Sequence, residues 1–227
     1  MQTNDHLCSC VKTHAVRICM PDDFNSEYFQ AAADPYAALP FSEKQAAIAV
    51  IREQVNSCRM CEELCHSRTN TVAGEGYLEP QVCIIGEAPG ADEDKQGRPF
   101  VGRAGQLLDR ILAACEIKRE KVYITNILKC RPPANRNPLP SEAANCLSYL
   151  RKQLHILKPR FICTLGAVAA QTLLQTDTSI GALRGRWHRY EGIPMLCTYH
   201  PAYLLRNPAK KRDVWEDMKM LIAKLAE

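Results

Sequence analysis

Four cysteines carry the clearest chemical signal in this chain. Cys58 and Cys61 form a CxxC pair, and Cys130 and Cys146 follow far downstream with fifteen residues between them. Thiolates are soft ligands suited to zinc and to iron–sulfur clusters. A structural zinc site usually brings its second pair as another tight knuckle. Here the second pair is open, and the stretch between the pairs reads as a folded domain. That spacing points to a 4Fe–4S cluster stapling the segment around Cys58 onto the body of the protein. Cys65 either competes as a ligand or stands by as a free thiol. Cys83, Cys115, Cys163 and Cys197 sit inside apolar runs, where free cysteine packs as a small hydrophobe.

Compartment and charge narrow the class. Twelve cysteines in 227 residues would suit a secreted protein, but the opening MQTNDHLCSC has no basic segment followed by an apolar run, and no stretch is long enough to span a membrane. The expectation is a cytoplasmic monomer with no membrane partner, its thiols reduced and open to metal. Residues 1–94 carry a net charge of −9 and residues 95–227 a net of +13. A basic region of that size suits a polyanion such as nucleic acid; an unevenly charged solvated surface is the plainer alternative.

A second group of chemically able residues falls where strands should end. Val82–Ile85, Val122–Thr125 and Phe161–Leu165 are short apolar runs alternating with helical patterns near 104–115, 141–157 and after Gly166. Strands 185–190 and 195–199 read as a hairpin-like return, and a basic amphipathic helix over 209–226 closes the chain. Strands alternating with helices predict an α/β fold, a parallel sheet covered on both faces, with ligands bound beyond the carboxyl ends of its strands. Gly86-Glu87-Ala88-Pro89-Gly90, Asn126 and His200 fall at those ends. They offer close backbone approach, a carboxylate, a bidentate amide and a neutral imidazole. Taken singly, each has a structural explanation as a turn cap, a self-satisfied amide or a buried histidine. Upstream, residues 1–40 read as an extension punctuated by prolines, and 41–227 as the domain. Ser42-x-x-Gln45 has the form of a capping box opening the first helix. His6, Cys8, Cys10, His14 and Cys19 offer a second, weaker metal-ligand set.

Three blocks then carry a resemblance. They are Gly86-Glu87-Ala88-Pro89-Gly90 with Glu93-Asp94 and Gly97-Arg98-Pro99-Phe100-Val101-Gly102; Tyr123-Ile124-Thr125-Asn126 leading to Lys129-Cys130-Arg131-Pro132-Pro133; and His200-Pro201-Ala202-Tyr203-Leu204-Leu205-Arg206. With the four cysteines they resemble the family 4 uracil-DNA glycosylases, from about Cys58 to the C-terminus. The chain departs from that pattern at Ala91-Asp92, where many relatives have an unbroken run of Glu. The resemblance implies a three-layer α/β/α domain with a central four-stranded, mostly parallel sheet. It also implies that Glu87 and Ala88, with Pro89 beside them, place backbone groups against uracil, that Phe100 stacks on the ring, that Asn126 reads the pyrimidine edge and that His200 meets O2.

The implied reaction is hydrolysis of the N-glycosidic bond of deoxyuridine in single- or double-stranded DNA, with the base flipped out of the helix. Glu87 and Glu93 both qualify to handle water, and His200 to stabilise the departing uracil. Arg98, Arg131 and Arg206, with Lys95, Arg103, Arg136, Lys210, Lys211 and Arg212, are placed to meet phosphates. Tyr203, Leu204 and Leu205 form an apolar wedge for the vacated stack; helix-start core packing is the other reading of the Leu pair. The cluster reads as structural, with a redox role as the sharper alternative. Two rival functions are a non-catalytic iron–sulfur nucleic-acid-binding module of the same fold and an electron-transfer protein. A third is a glycosylase that stays attached to its abasic product, but no His-containing basic insertion follows Asn126.

Overall fold

The computed structural model describes residues 39–227. The alternative ligand set of His6, Cys8, Cys10, His14 and Cys19 lies outside the described residues. In chain order the elements are α1 (Phe41–Ser57), α2 (Glu62–Ser67), β1 (Glu75–Gly76), β2 (Val82–Gly86), α3 (Ala91–Gln96), α4 (Arg103–Ala114), β3 (Tyr123–Asn126) and α5 (Pro140–Leu157). There follow β4 (Phe161–Leu165), α6 (Ala167–Leu174), α7 (Ile180–Leu183), β5 (Trp187–Tyr190), β6 (Ile193–Thr198), α8 (Pro201–Arg206) and α9 (Lys211–Leu225).

The strands form one sheet in the order β1-β3-β2-β4-β6-β5. The four inner strands run parallel, as their near-continuous apolar sequences require: β2, β3 and β4 are buried at every position. The expected four-stranded sheet is therefore its core, but the whole sheet has six strands, with antiparallel β1 and β5 at the edges. β1 is only two residues long, too short for an alternating pattern to reveal it. β5 and β6 are joined through Glu191 and Gly192, both at positive φ (47° and 78°), the backbone that a two-residue hairpin turn demands.

Alternation along the strands splits the core between two faces. Val82, Ile84, Val122, Ile124, Cys163 and Leu196 pack with α4, α8 and α9 in one apolar cluster. On the other face Tyr123 and Thr125 meet Gln153 of α5, and α1 packs along α5. This is the α/β/α arrangement. One local expectation needs correction. The capping box at Ser42 does not form: α1 starts one residue earlier, with Pro40 at its N-cap and no side-chain cap, so Ser42 lies inside the first turn. The acidic stretch after Gly90 forms the short helix α3. No helix among the described residues is long and apolar enough to cross a membrane.

Asp217 of α9 fixes the end of β6. Its carboxylate is fully buried and accepts from Thr198 Oγ1 at 2.6 Å and from the Arg184 guanidinium at 2.9 and 3.0 Å. Thr198 is two residues from His200, so this network sets where the chain leaves the sheet for α8.

Candidate active site

A cleft of about 390 Å³ opens beyond the carboxyl ends of β2, β3 and β6, where the doubly covered sheet leads one to look. Glu87, Ala88, Pro89, Phe100, Asn126 and His200 all line it, together with Glu93, Tyr203 and Arg206. The residues selected from the sequence thus converge on one site. A further wall is formed by Pro132, Asn135, Arg136 and Asn137 between β3 and α5; of these the sequence singles out only Arg136 for a role, as a phosphate contact.

Asn126 sits at the floor. Only 1% of the residue is exposed, and its side-chain Oδ1 is buried with no hydrogen-bond partner among the described residues. Buried polar atoms are almost always paired, so an unpaired acceptor lining a cleft marks a ligand position. Close packing holds it there. A Cβ at Gly86 would lie 2.3 Å from Asn126 Oδ1 and 2.6 Å from Phe100 Cζ, so any side chain would displace both. Phe100 has φ 53°, in the left-handed region, and its carbonyl comes so near α4 that a Cβ at Gly105 would lie 1.9 Å away. Strained backbone of this kind persists where the surroundings enforce it, commonly at functional sites. It turns the Phe100 ring into the cleft, 5.6 Å from the His200 ring at an angle of 33°.

His200 caps α8, its Nδ1 accepting from the Ala202 N–H at 3.1 Å. An accepting Nδ1 places the proton of the neutral ring on Nε2. Burial in the cleft lowers the pKa to about 4, with Arg206 adding to the shift and Glu93 opposing it. At neutral pH the ring is an uncharged Nε2–H donor. The cap and the ring's tautomer are one feature, which a lone histidine in a sequence does not disclose.

The two candidate carboxylates differ sharply. Glu93 Oε1 accepts from the Val101 and Gly102 N–H groups at 2.8 Å each, and Oε2 accepts from Gly90 at 3.2 Å. Glu93 therefore stitches the β2–α3 turn to the α3–α4 loop. The Glu87 carboxylate has no hydrogen-bond partner among the described residues, and burial raises its pKa above the usual carboxylate value.

Cys130 and Cys146 are buried in a small cluster with Leu64 and Leu128, against which Cys61 and Ala88 pack. Cys58 stands at the end of α1, where the Arg68 guanidinium spans its carbonyl (2.9 Å) and Cys130 Sγ (2.8 Å). Asn145 Nδ2 donates to Cys61 Sγ at 3.5 Å, and Cys65 donates to the Cys58 carbonyl at 3.5 Å. Burial pushes the Cys146 thiol up to about 12 and raises Cys130 as well. Such thiols stay protonated unless a metal replaces the proton. Among the described residues no group of three or more His, Cys, Asp or Glu is arranged to hold a single metal ion. Thiols that each bind a different iron of a larger cluster need not converge on one point. Their donor chemistry, with N–H groups aimed at sulfur, suits such a cluster.

The predicted DNA-contacting residues divide. Arg206 lines the cleft, exposed and without an ion-pair partner among the described residues. Arg98 is exposed but bound to Glu75 at 2.8 and 3.1 Å, Arg131 holds Asn135 at 2.8 Å, and Arg136 is committed to Glu63 and Glu142. Tyr203 lines the cleft and stacks on Tyr199 at 5.1 Å. Leu204 cannot act as a wedge from this position: it is fully buried in the core against α4 and α9, because helix periodicity turns it inward. Leu205, 36% exposed, is the apolar side chain presented to solvent.

With that geometry in place, the comparisons are direct. The family model described as Uracil DNA glycosylase superfamily matches residues 73–219. A type-4 uracil-DNA glycosylase of Thermotoga maritima is 43% identical over 182 residues, covering 78% of this chain and 93% of that protein. The Pyrobaculum aerophilum type-4 enzyme is 44% identical over 178 residues, with 75% and 90% covered. That of Archaeoglobus fulgidus is 41% identical over 180 residues, with 76% and 89% covered. A cleft at the sheet's carboxyl edge, cysteines gathered beside it and similarity along most of its length lead to one assignment: the chain belongs to the type-4 uracil-DNA glycosylases.

Proposed function

We propose that this protein excises uracil from DNA by hydrolysing the bond between uracil N1 and the deoxyribose C1′, leaving an abasic site for repair. The observation that carries the reading is the unpaired Asn126 Oδ1, buried beside the Phe100 ring and His200. A base flipped into the cleft stacks on Phe100. Asn126 Oδ1 accepts from uracil N3–H while its Nδ2 donates to O4. Cytosine has no N3–H and presents an amino group in place of O4, so a fixed amide leaves polar atoms unpaired against it. The 5-methyl group of thymine adds bulk to a pocket lined by Pro89, Phe100 and Asn126.

As the C1′–N1 bond breaks, its electron pair moves onto uracil. The neutral His200 Nε2–H donates to O2 as that charge develops, which lowers the barrier in the manner of an oxyanion donor. A water oxygen bonds C1′, and its proton passes to Glu87. A raised pKa makes Glu87 a stronger base near neutral pH than an ordinary carboxylate. Glu93, its oxygens taken by three backbone amides, shapes the cleft. Arg206 and the neighbouring basic side chains hold the backbone of the strand without reading its sequence, and Leu205 fills the gap left by the flipped base.

Cys58, Cys61, Cys130 and Cys146 are the proposed ligands of a 4Fe–4S cluster. Its thiolate links, when bound, fasten the ends of α1 and α2 to the β3–α5 loop and to α5. The chain's part in that arrangement is structural. Cys65 remains a bystander thiol.

Three outcomes are expected. Protein purified without oxygen should release uracil from an oligonucleotide with one deoxyuridine opposite G, giving alkali-labile cleavage only at that position. Tight DNA binding without released uracil would instead indicate a non-catalytic module. Glu87→Gln should lower single-turnover excision about 10²-fold at unchanged stability, while Glu93→Gln should chiefly cost stability, about 1–3 kcal/mol by chemical denaturation; the reverse pattern would return the water to Glu93. Wild-type protein should contain iron and acid-labile sulfide in equal amounts. Cys130→Ser should lose both and Cys65→Ser should keep both, whereas bound zinc without sulfide would contradict the cluster.

A further inference from the structure

Lys129 is a lysine with 1% of its surface exposed, and it makes no ion pair with a carboxylate among the described residues. Its ammonium meets three acceptors: Thr125 Oγ1 at 2.7 Å, the Asn126 backbone carbonyl at 2.8 Å and Gln153 Oε1 at 2.8 Å. An ammonium has three protons, and each has a partner. The acceptors are themselves held. Gln153, 1% exposed on α5, donates through Nε2 to the Ala73 carbonyl at 2.7 Å and to Tyr123 OH at 3.3 Å. Thr125 Oγ1 donates to the same Ala73 carbonyl at 3.1 Å.

Burying a charge this deeply is costly, and an apolar side chain of similar length would fill the space with less loss. The charge has to be explained by what it holds. Across the β2–β3 pair the Ile127 N–H donates to the Gly86 carbonyl at 2.9 Å, whereas the donor that the Asn126 carbonyl meets is the Lys129 ammonium. Charge-assisted hydrogen bonds are roughly twice as strong as neutral ones. The grip falls on a cleft residue whose buried side-chain oxygen has no partner among the described residues. A Cβ at Gly86 would collide with both the Asn126 amide oxygen and the Phe100 ring, while Lys129 holds the Asn126 backbone.

We propose that Lys129 is a positioning residue for base recognition: by binding the Asn126 carbonyl it sets the orientation in which the Asn126 amide meets uracil. The proposal rests on the glycosylase reading above. A merely structural lysine would change stability alone, whereas a positioning lysine changes how the folded protein handles the base.

Lys129→Met keeps the side chain's length and removes all three hydrogen bonds. The folded variant should show single-turnover excision at saturating DNA reduced about 10²-fold, the scale expected of a misplaced recognition group. Its binding of free uracil should weaken in parallel. Affinity for uracil-free DNA should stay within about threefold, since phosphate contacts are untouched, and iron content should match wild type. A Lys129→Met protein that melts earlier but excises and binds uracil as wild type does would overturn the proposal. Should that variant fail to fold, Gln153→Met removes one anchor and leaves both Lys129 and Asn126 in place. A fall of about tenfold in the same rate is expected there, and an unchanged rate overturns the proposal. Wild-type protein that excises no uracil would count against the glycosylase reading itself.

Discussion

Asn126 ends an inner strand with its carbonyl gripped by a buried ammonium and its side-chain oxygen buried and unpaired. Leaving a buried acceptor without a partner costs on the order of 1–3 kcal/mol, and the surrounding chain packs closely about this amide. Gly86 admits no side chain between Asn126 and Phe100. Phe100 accepts a left-handed backbone to put its ring in the cleft, and Gly105 makes room for the displaced carbonyl. Glu93 then ties the turn on one side of Phe100 to the loop on the other through three backbone amides. The geometry proposed to read the base is thus held by packing and hydrogen bonds within the protein, as electrostatic preorganisation requires.

The cysteine group and the cleft share walls. Ala88 lines the cleft and packs against Cys130, Cys146 and Leu64. The wall formed by residues 132–137 is pinned by Arg136, which donates to Glu63 of α2 at 2.7 Å and to both oxygens of Glu142 on α5 at 2.7 and 2.9 Å. That guanidinium holds the Glu142 carboxyl below its ordinary pKa. Ala134 and Asn135, successive residues at φ 52° and 54°, bend the chain so that Arg136 can reach both. Fastening α2 and α5 together around the cysteines therefore also fixes the far wall of the pocket, and no thiol among the described residues lines the cleft.

Much of this was legible in the sequence because the physics is local. Val82–Ile85, Val122–Thr125 and Phe161–Leu165 are apolar runs too short for helices, and strands buried on both faces follow from them. The Gly/Pro turns and polar residues after those runs mark one sheet edge, which is why Glu87, Asn126 and His200 are found together. What stayed hidden depends on distant partners. Glu87 and Glu93 look alike until the amides of Val101 and Gly102 are seen to occupy one and not the other. Leu204 and Leu205 are adjacent, and only the register of α8 against α4 decides which is core. Nothing in the sequence marks Lys129 as buried, because its partner Gln153 lies 24 residues away. The capping box at Ser42 failed for a related reason: the helix starts one residue earlier, at Phe41, with Pro40 as its N-cap and no side-chain cap.

The most direct test of the central claim is a titration of free uracil into protein labelled with ¹⁵N, following the Asn126 side-chain amide and the His200 ring nitrogens near neutral pH. Uracil should shift the Asn126 Nδ2 signals and the His200 Nε2–H together, with the ring uncharged throughout, and cytosine at the same concentration should leave them in place. Binding of uracil that moves neither group, or an equal response to cytosine, would contradict a cleft built around Asn126.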